Sequence, residues 1–169
     1  ATAVSQVFLN TNMAAAGGVV ATLFMSLFLT GKMDVTMAIN GAIAGLVSIT
    51  ADPLSPTGGT AVLVGALGGA LVYVSILFLE KKGIDDPVGA ISAHGTVGIY
   101  GVLVVSLTGG ADFLGQLTGV AMIAAFTYIA SLGVIYAINF VMPIRATDEE
   151  QDAGLDISEV GIEAYPEFD

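Results

Sequence analysis

The chain has 169 residues, of which 55% are hydrophobic and only 11% are charged. A soluble domain typically carries about 25% charged residues, so this composition excludes a water-soluble globular protein and predicts a chain surrounded by lipid. The formal net charge of −11 arises mainly from nine acidic residues between positions 148 and 169. Such acidity argues against nucleic-acid binding, and the lack of cysteine excludes disulfides and thiolate metal sites.

Five apolar stretches follow one another along the chain. A spanning helix needs about 17–25 apolar residues, and the stretches cover residues 4–30, 35–51, 58–79, 88–108 and 113–142. The runs are continuous and lack the alternation of membrane β-strands. The sequence therefore predicts an all-α membrane protein with about five transmembrane helices over residues 1–145, followed by an acidic tail over residues 146–169.

The four cationic residues are distributed asymmetrically. Lys32 follows the first stretch, Lys81 and Lys82 follow the third, and Arg145 follows the fifth. Positively charged loops stay on the cytoplasmic side of a membrane. We therefore expect the amino end to lie outside and the carboxy-terminal tail to be cytoplasmic.

Small residues recur at helical spacing within the apolar stretches. Such residues let helix backbones approach closely in lipid. Three sets are expected to form helix contacts: the pair Gly41 and Gly45, the pair Gly65 and Gly69, and one common face formed by Ala90, His94, Gly98 and Gly101.

His94 is the single histidine of the chain and falls inside the fourth stretch. An ionisable side chain within a span is costly and indicates a functional site. No acid shares its span, so we expect a neutral ring, which donates one hydrogen bond and accepts another. The alternative is a structural histidine bonded to a carbonyl of a neighbouring helix. No metal site is expected, since the chain offers no second nitrogen or sulfur ligand.

Other polar residues have structural explanations. Asp85 and Asp86 precede Pro87 at the start of the fourth stretch, and we interpret them as an acidic helix cap. Asn10, Thr11 and Asn12 lie inside the first stretch and are expected to bond between helices.

The acidic tail has two possible states. Its composition is compatible with a disordered, solubilising segment. However, apolar residues are interspersed among the acids, which suggests docking onto a surface such as the basic loops: Leu155, Ile157, Val160, Ile162, Tyr165 and Phe168.

Three strings occur in order along the chain: NGAIAGLVSITA, GIDDPVGAISAHGTVGIYG and DEEQDAGLDISEVGIEAY. Together they resemble the ammonium transporter (Amt) family, and the resemblance covers essentially the whole chain. It implies the last five of the eleven membrane helices of that family plus its cytoplasmic tail, or one half of an inverted-repeat fold. The amino-terminal half of that family, with its partner histidine, has no counterpart in this sequence. We therefore expect the chain to be a fragment, one half of a split protein or part of something longer.

The resemblance also implies a function and its residues. It implies a homotrimer in the inner (plasma) membrane of a bacterium or archaeon, in which each subunit conducts ammonium or ammonia through its own apolar pore. The motif HGxxGI places one histidine of the twin pair on His94. Ile49 and Ala90 are the implied pore-wall positions, and Asp85 and Asp86 match a structural motif.

The tail of the family contacts cytoplasmic loops and signalling proteins of the PII class. This implies a regulatory role for four tail residues: Gly154, Leu155, Asp156 and Tyr165. Two positions depart from the family pattern, since Tyr100 stands where the family often has Trp and Val160 replaces a frequent histidine.

Two alternatives to a transporter remain at this point. One is an Amt-like ammonium sensor, and the other is a structural membrane subunit that conducts nothing. An enzyme is not expected, since the sequence offers no nucleophile–base pair or phosphate-binding glycine loop. No cofactor is expected either.

Overall fold

The computed structural model describes residues 2–166, and its regular structure over that range is helical throughout. Four helices are long and apolar enough to cross a membrane, and a further apolar helix of 15 residues is shorter. The chain forms two compact units, Ala1–Ala121 and Met122–Asp169. The predicted all-α membrane fold is confirmed.

The elements follow in chain order: α1 (Thr2–Thr30), α2 (Val35–Ile49), α3 (Gly58–Lys81), a π-helical segment (Ile91–Thr96) that continues into α4 (Val97–Thr108), α5 (Phe113–Val141), α6 (Asp148–Ala153) and a second π-helical segment (Asp156–Val160). The helix predicted over 88–108 begins later, at Ile91, because Gly89 adopts a φ of +72° that no right-handed helix accommodates. The last three residues of the predicted tail, 167–169, with Phe168 among them, lie outside the described range.

Side chains in the loops define where α2 and α3 begin. The carboxylate of Asp34 accepts hydrogen bonds from the backbone N–H groups of Thr36 (2.7 Å) and Met37 (3.2 Å). The Thr57 hydroxyl accepts one from the N–H of Thr60. These bonds satisfy backbone donors that have no partner within the first turn of a helix.

Contacts between α1 and α2 show that the two helices are antiparallel. The carbonyl of Ala14 lies against Gly45, and the next turn of α1 brings Gly18 against Gly41. Along this line of contacts, residue numbers increase in α1 and decrease in α2. Each contact is made at a glycine of α2, as the spacing of Gly41 and Gly45 predicts.

Contacts between α1 and α3 run in the parallel sense. Ala14 lies against Gly65, and Gly18 lies against Gly69. The second predicted glycine pair therefore also lies at a helix contact. Because α1 and α3 point the same way, the three lysines that follow these helices lie at one end of the bundle: Lys32, Lys81 and Lys82.

A buried asparagine holds the loop between α2 and α3. Asn10 is fully buried in α1, and its amide nitrogen donates to the carbonyls of Pro53 (2.9 Å) and Pro56 (2.7 Å). The neighbouring Thr11 and Asn12 instead donate to carbonyls within α1. Of these three residues, Asn10 alone makes hydrogen bonds to described residues outside its own helix, and they reach a loop where bonds to another helix were expected.

The second unit contains most of α5 and the tail. No residue of α5 is buried in this chain. In the tail, the Thr147 hydroxyl accepts from the N–H of Glu150, and the Glu150 carboxylate accepts from the N–H of Thr147. This reciprocal capping box satisfies donors at the start of α6.

Replacement of Gly65 by alanine tests the helix contact. An added Cβ would collide with the carbonyl of Ala14, a backbone atom that cannot rotate away. We expect Gly65→Ala to destabilise the full-length protein by about 1–3 kcal/mol, seen as a lower thermal midpoint in detergent. Gly119→Ala in α5 is the control, because no described residue beyond its own helix turn comes within 4 Å of the added Cβ. Equal midpoints for the two variants would contradict the contact.

Candidate functional site around His94

The chain enters the fourth span through a turn that requires glycine. Gly89 has a φ of +72°, and its carbonyl accepts the backbone N–H of Ala93 at 2.7 Å. A Cβ at this position would lie 2.6 Å from the amide oxygen of Asn40 in α2. Both the backbone conformation and the neighbouring side chain therefore favour a residue without a side chain.

Asp86 caps the π-helical segment that carries His94. One carboxylate oxygen accepts the N–H of Ile91 at 3.0 Å, and the other accepts the N–H of Ser92 at 3.1 Å. Asp85 is exposed and makes no hydrogen bond or ion pair with any residue in the described range. The acidic cap predicted for the pair thus belongs to Asp86.

Two opposing effects act on the Asp86 carboxyl group. Partial burial raises its pKa, whereas hydrogen bonds from the N–H groups of Ile91 and Ser92 lower it. The hydrogen bonds together outweigh the burial, and the pKa lies below its ordinary value. A carboxyl whose pKa is lower in the folded state stabilises the fold above its unfolded pKa. That contribution is lost as the pH falls through the folded pKa.

His94 lies within the six-residue π-helical segment, and its side chain is exposed. Its neighbours Ser92 and Ala93 are buried, as is Val97 one turn later. Within residues 2–166 the imidazole has no hydrogen-bond partner. The segment is therefore anchored on one side and presents the imidazole on the other.

The face predicted to join Ala90, His94, Gly98 and Gly101 is not formed as a unit. Gly101 is buried against the carbonyls of Val47 and Ser48 in α2, whereas Ala90 and His94 are exposed. A π-helical turn holds one residue more than an α-helical turn, so it shifts the spacing that a regular helix would give.

Three hydroxyl groups fix the buried side of the segment. The Ser75 hydroxyl of α3 donates to the Ser92 hydroxyl at 3.1 Å and lies 2.9 Å from the Thr96 hydroxyl. Since the single Ser75 proton is used toward Ser92, Thr96 is the donor to Ser75. These residues are not among the site residues that the sequence predicts, although hydroxyls spaced i and i+4 in an apolar span were a usable signal.

The two predicted pore-wall residues lie in different environments. Ala90 is exposed at the start of the segment that carries His94. Ile49 is only 2% exposed and packs with Ala14, Ala61 and Val64 in the bundle core. The structure therefore does not bring Ile49 to the surface that presents the imidazole.

Asn40 lies beside the same turn. Its side-chain nitrogen donates to the carbonyl of Thr36, and its buried oxygen has no partner within the described part of the chain. The oxygen faces Gly89. This close approach depends on the fold around Gly89, which the sequence pattern does not reveal.

The predicted regulatory residues lie in a locally ordered tail. The Asp156 carboxylate accepts the N–H groups of Ala164 (2.8 Å) and Ile157 (3.0 Å), and these bonds lower its pKa. Gly154 has a φ of +92°, which suits glycine. Leu155 and Tyr165 are exposed. The described tail thus folds back on Asp156 and displays apolar side chains.

Over positions 2–166, no three His, Cys, Asp or Glu side chains come together as metal ligands.

The apolar helices and the buried polar contacts between them define an integral, multi-pass membrane protein. The sequence model of the protein family described as the Ammonium Transporter Family matches residues 1–165. The chain therefore belongs to the ammonium transporter family, as its three sequence strings predict.

Relatives are found among archaea and bacteria. The chain is 32% identical to the ammonium transporter Amt2 of Archaeoglobus fulgidus, covering 98% of the chain and 40% of that protein. It is 33% identical to an ammonium transporter of Bacillus subtilis, covering 94% of the chain and 43% of that protein. The chain thus spans about two fifths of the length of these relatives.

Solved structures share the fold. A structure titled Sensor Amt Protein aligns with a TM-score of 0.80 at 34% identity, over 94% of this chain and 42% of that one. Mep2 of Candida albicans aligns with a TM-score of 0.76 at 25% identity, over 86% of this chain and 37% of that one.

Substitution of Asp86 tests the cap. Asp86→Asn replaces one acceptor oxygen by an NH₂ group facing a backbone N–H, so we expect a loss of about 1–3 kcal/mol at neutral pH. Asp85→Asn serves as the control, because it removes a neighbouring negative charge that accepts no hydrogen bond from the described residues. Thermal midpoints of the full-length protein should separate the variants at neutral pH. The gap should close as the pH falls through the folded pKa of Asp86, and a gap independent of pH would contradict the cap.

Substitution of Gly89 tests the turn. Gly89→Ala imposes both an unfavourable positive φ and a collision with Asn40. Gly83→Ala imposes the positive φ alone, since Gly83 has a φ of +70° and open space around its Cβ. The backbone effect costs about 1–2 kcal/mol, so Gly89→Ala should lower the thermal midpoint more than Gly83→Ala. Equal shifts would show that the contact with Asn40 is unimportant.

Proposed function

We propose that this chain forms one wall of an ammonium-conducting pore in the full-length membrane protein, with His94 as its polar contact. The single observation that carries this proposal is the exposed imidazole of His94 on a segment whose opposite side is fixed by buried side chains. Family membership supports the choice of ammonium as the substrate.

The chemistry of His94 suits this role. A neutral imidazole accepts one hydrogen bond and donates another, so it can exchange hydrogen bonds with ammonia inside an otherwise apolar passage. A bare cation pays a large desolvation cost in such a passage. A step in which ammonium loses its proton therefore separates it from potassium, which has no proton to lose.

The rest of the pore is proposed to lie outside this chain. The matched relatives are more than twice as long as the aligned region, and we infer that this chain is their carboxy-terminal part. The remaining part would cover the face that presents His94 and supply the second histidine. Ala90, one turn before His94, is the second wall residue we propose. Ile49 is retained only as a packing residue behind that wall.

The assembly and its location are part of the same proposal. We infer a homotrimer in the plasma membrane of a bacterium or archaeon, with the three lysines and the acidic tail on the cytoplasmic side. The apolar side chains displayed by the tail, Leu155 and Tyr165 among them, would bind cytoplasmic loops or a PII-type signalling protein.

Transport is favoured over the alternatives. The curated relatives are named ammonium transporters, which supports a transporter ahead of a sensor, a structural subunit or an enzyme. One of the similar structures is titled Sensor Amt Protein, so the experiment must also detect ammonium binding without transport.

Replacement of His94 is the direct test. We expect His94→Ala in the full-length protein to reduce ammonium transport at least tenfold, or to admit potassium, while the oligomer still forms. Transport is measured in reconstituted vesicles with ammonium and potassium gradients, and assembly is measured by size-exclusion chromatography. Thr118→Ala is the control, because within residues 2–166 the Thr118 hydroxyl bonds only to the carbonyl of Leu114 in its own helix.

Two results would contradict the proposal. One is an assembled wild-type protein that binds ammonium without transporting it, which would favour a sensor. The other is a His94→Ala variant with unchanged rate and unchanged exclusion of potassium, which would leave His94 as a structural residue.

A further inference from the structure

We propose that Ser75 is a positioning residue for His94, and that it acts through the hydroxyls of Ser92 and Thr96. The inference rests on the proposed transport function and names the part of α3 that determines where the imidazole points. Ser75 is buried, at 8% exposure, and lies 17 positions before Ser92 in the chain.

The placement of the hydroxyls explains why Ser75 controls direction. Ser92 and Thr96 are four residues apart on one side of the segment, and both meet Ser75. His94 lies midway between them, so its side chain leaves the opposite side of the turn. Two contacts one turn apart prevent the segment from rotating about its axis. The contacts on the opposite side of the segment thereby determine the direction of the imidazole.

Two sets of polar contacts hold the segment that carries the imidazole. A π-helical turn is rare and occurs mainly as a single turn within an α-helix. At its start, Asp86 accepts the N–H groups of Ile91 and Ser92. Further along, the Ser75 hydroxyl of α3 contacts Ser92 and Thr96, the second and the last residue of the segment. Asp86 therefore fixes where the segment begins, and Ser75 fixes how it is rotated.

A further hydrogen bond between α3 and α4 supports the alignment in which Ser75 meets Ser92 and Thr96. One helical turn beyond Thr96, the Tyr100 hydroxyl donates to the carbonyl of Val64 at 3.2 Å. The pairs Ser75–Ser92 and Val64–Tyr100 run in opposite directions along the two helices, so α3 and α4 are antiparallel. The hydroxyl contacts thus form a line that joins the two helices from the π-helical segment onward.

The test compares single and double variants of the full-length protein. Ser75→Ala should lower ammonium transport about fivefold, the effect of losing roughly one net hydrogen bond, and should shift the ammonium-to-potassium selectivity in the same direction as His94→Ala. In the His94→Ala background, Ser75→Ala should cause no further change, because coupled residues give non-additive effects. Ser48→Ala is the matched control: Ser48 is also buried, at 1% exposure, and its hydroxyl donates to the carbonyl of Ala44 within α2.

A second pair of variants tests the contact from the other helix. Thr96→Val keeps the shape of the side chain and removes the hydroxyl, whereas Thr96→Ser keeps the hydroxyl and removes a methyl group. Thr96→Val should reproduce Ser75→Ala, and Thr96→Ser should restore most of the wild-type selectivity. If neither Ser75→Ala nor Thr96→Val assembles, the hydroxyl cluster stabilises the fold rather than positioning His94, and the inference is overturned.

The two proposals fail in different ways. An inactive wild type, or an unaffected His94→Ala variant, overturns the transport function and with it the positioning role. An active wild type with an impaired His94→Ala variant supports the function. If Ser75→Ala then behaves like Ser48→Ala, or if its effect adds fully to that of His94→Ala, only the positioning role is overturned.

Discussion

The backbones of α1, α2 and α3 touch at glycines, and the remaining structure depends on that contact. Lipid offers apolar helices no hydrophobic reason to associate, so close packing and buried hydrogen bonds must hold them together. Gly45 and Gly65 both lie against the carbonyl of Ala14, which brings three helices to one point. The buried Asn10 adds the polar contact, one turn earlier, that holds the loop between α2 and α3.

The position of α3 in turn determines the candidate site. Once α3 is fixed against α1, its Ser75 hydroxyl stands at a defined height for the segment that carries His94. The Asp86 carboxylate then terminates that segment from the loop. The exposed imidazole of His94 is thus carried by a segment that buried hydroxyl contacts with α3 hold in place.

The sequence predicted the helices, the glycine contacts and His94 because each leaves a local signal: apolar length, four-residue spacing and an ionisable group in a span. Other features depend on tertiary structure and leave none. The π-helical segment follows the Gly89 turn and the Asp86 cap, and the apolar pattern reveals neither of them, so a regular helix was expected there. The burial of Ile49 and the choice of Asp86 over Asp85 likewise follow from neighbours that are distant in the chain or from the exact course of the turn.

The π-helical segment also bears on how related sequences diverge. Its turn holds one residue more than an α-helical turn, so it is equivalent to a single-residue insertion in a regular helix. A lineage that lost one residue between Asp86 and Val97 would regain an unbroken α-helix. The flanking turns would keep nearly the same orientation, because the π-helical turn already accommodates the extra residue. The packing of α4 would therefore survive such a loss, and the change would be confined to residues 91–96, the segment that carries the imidazole.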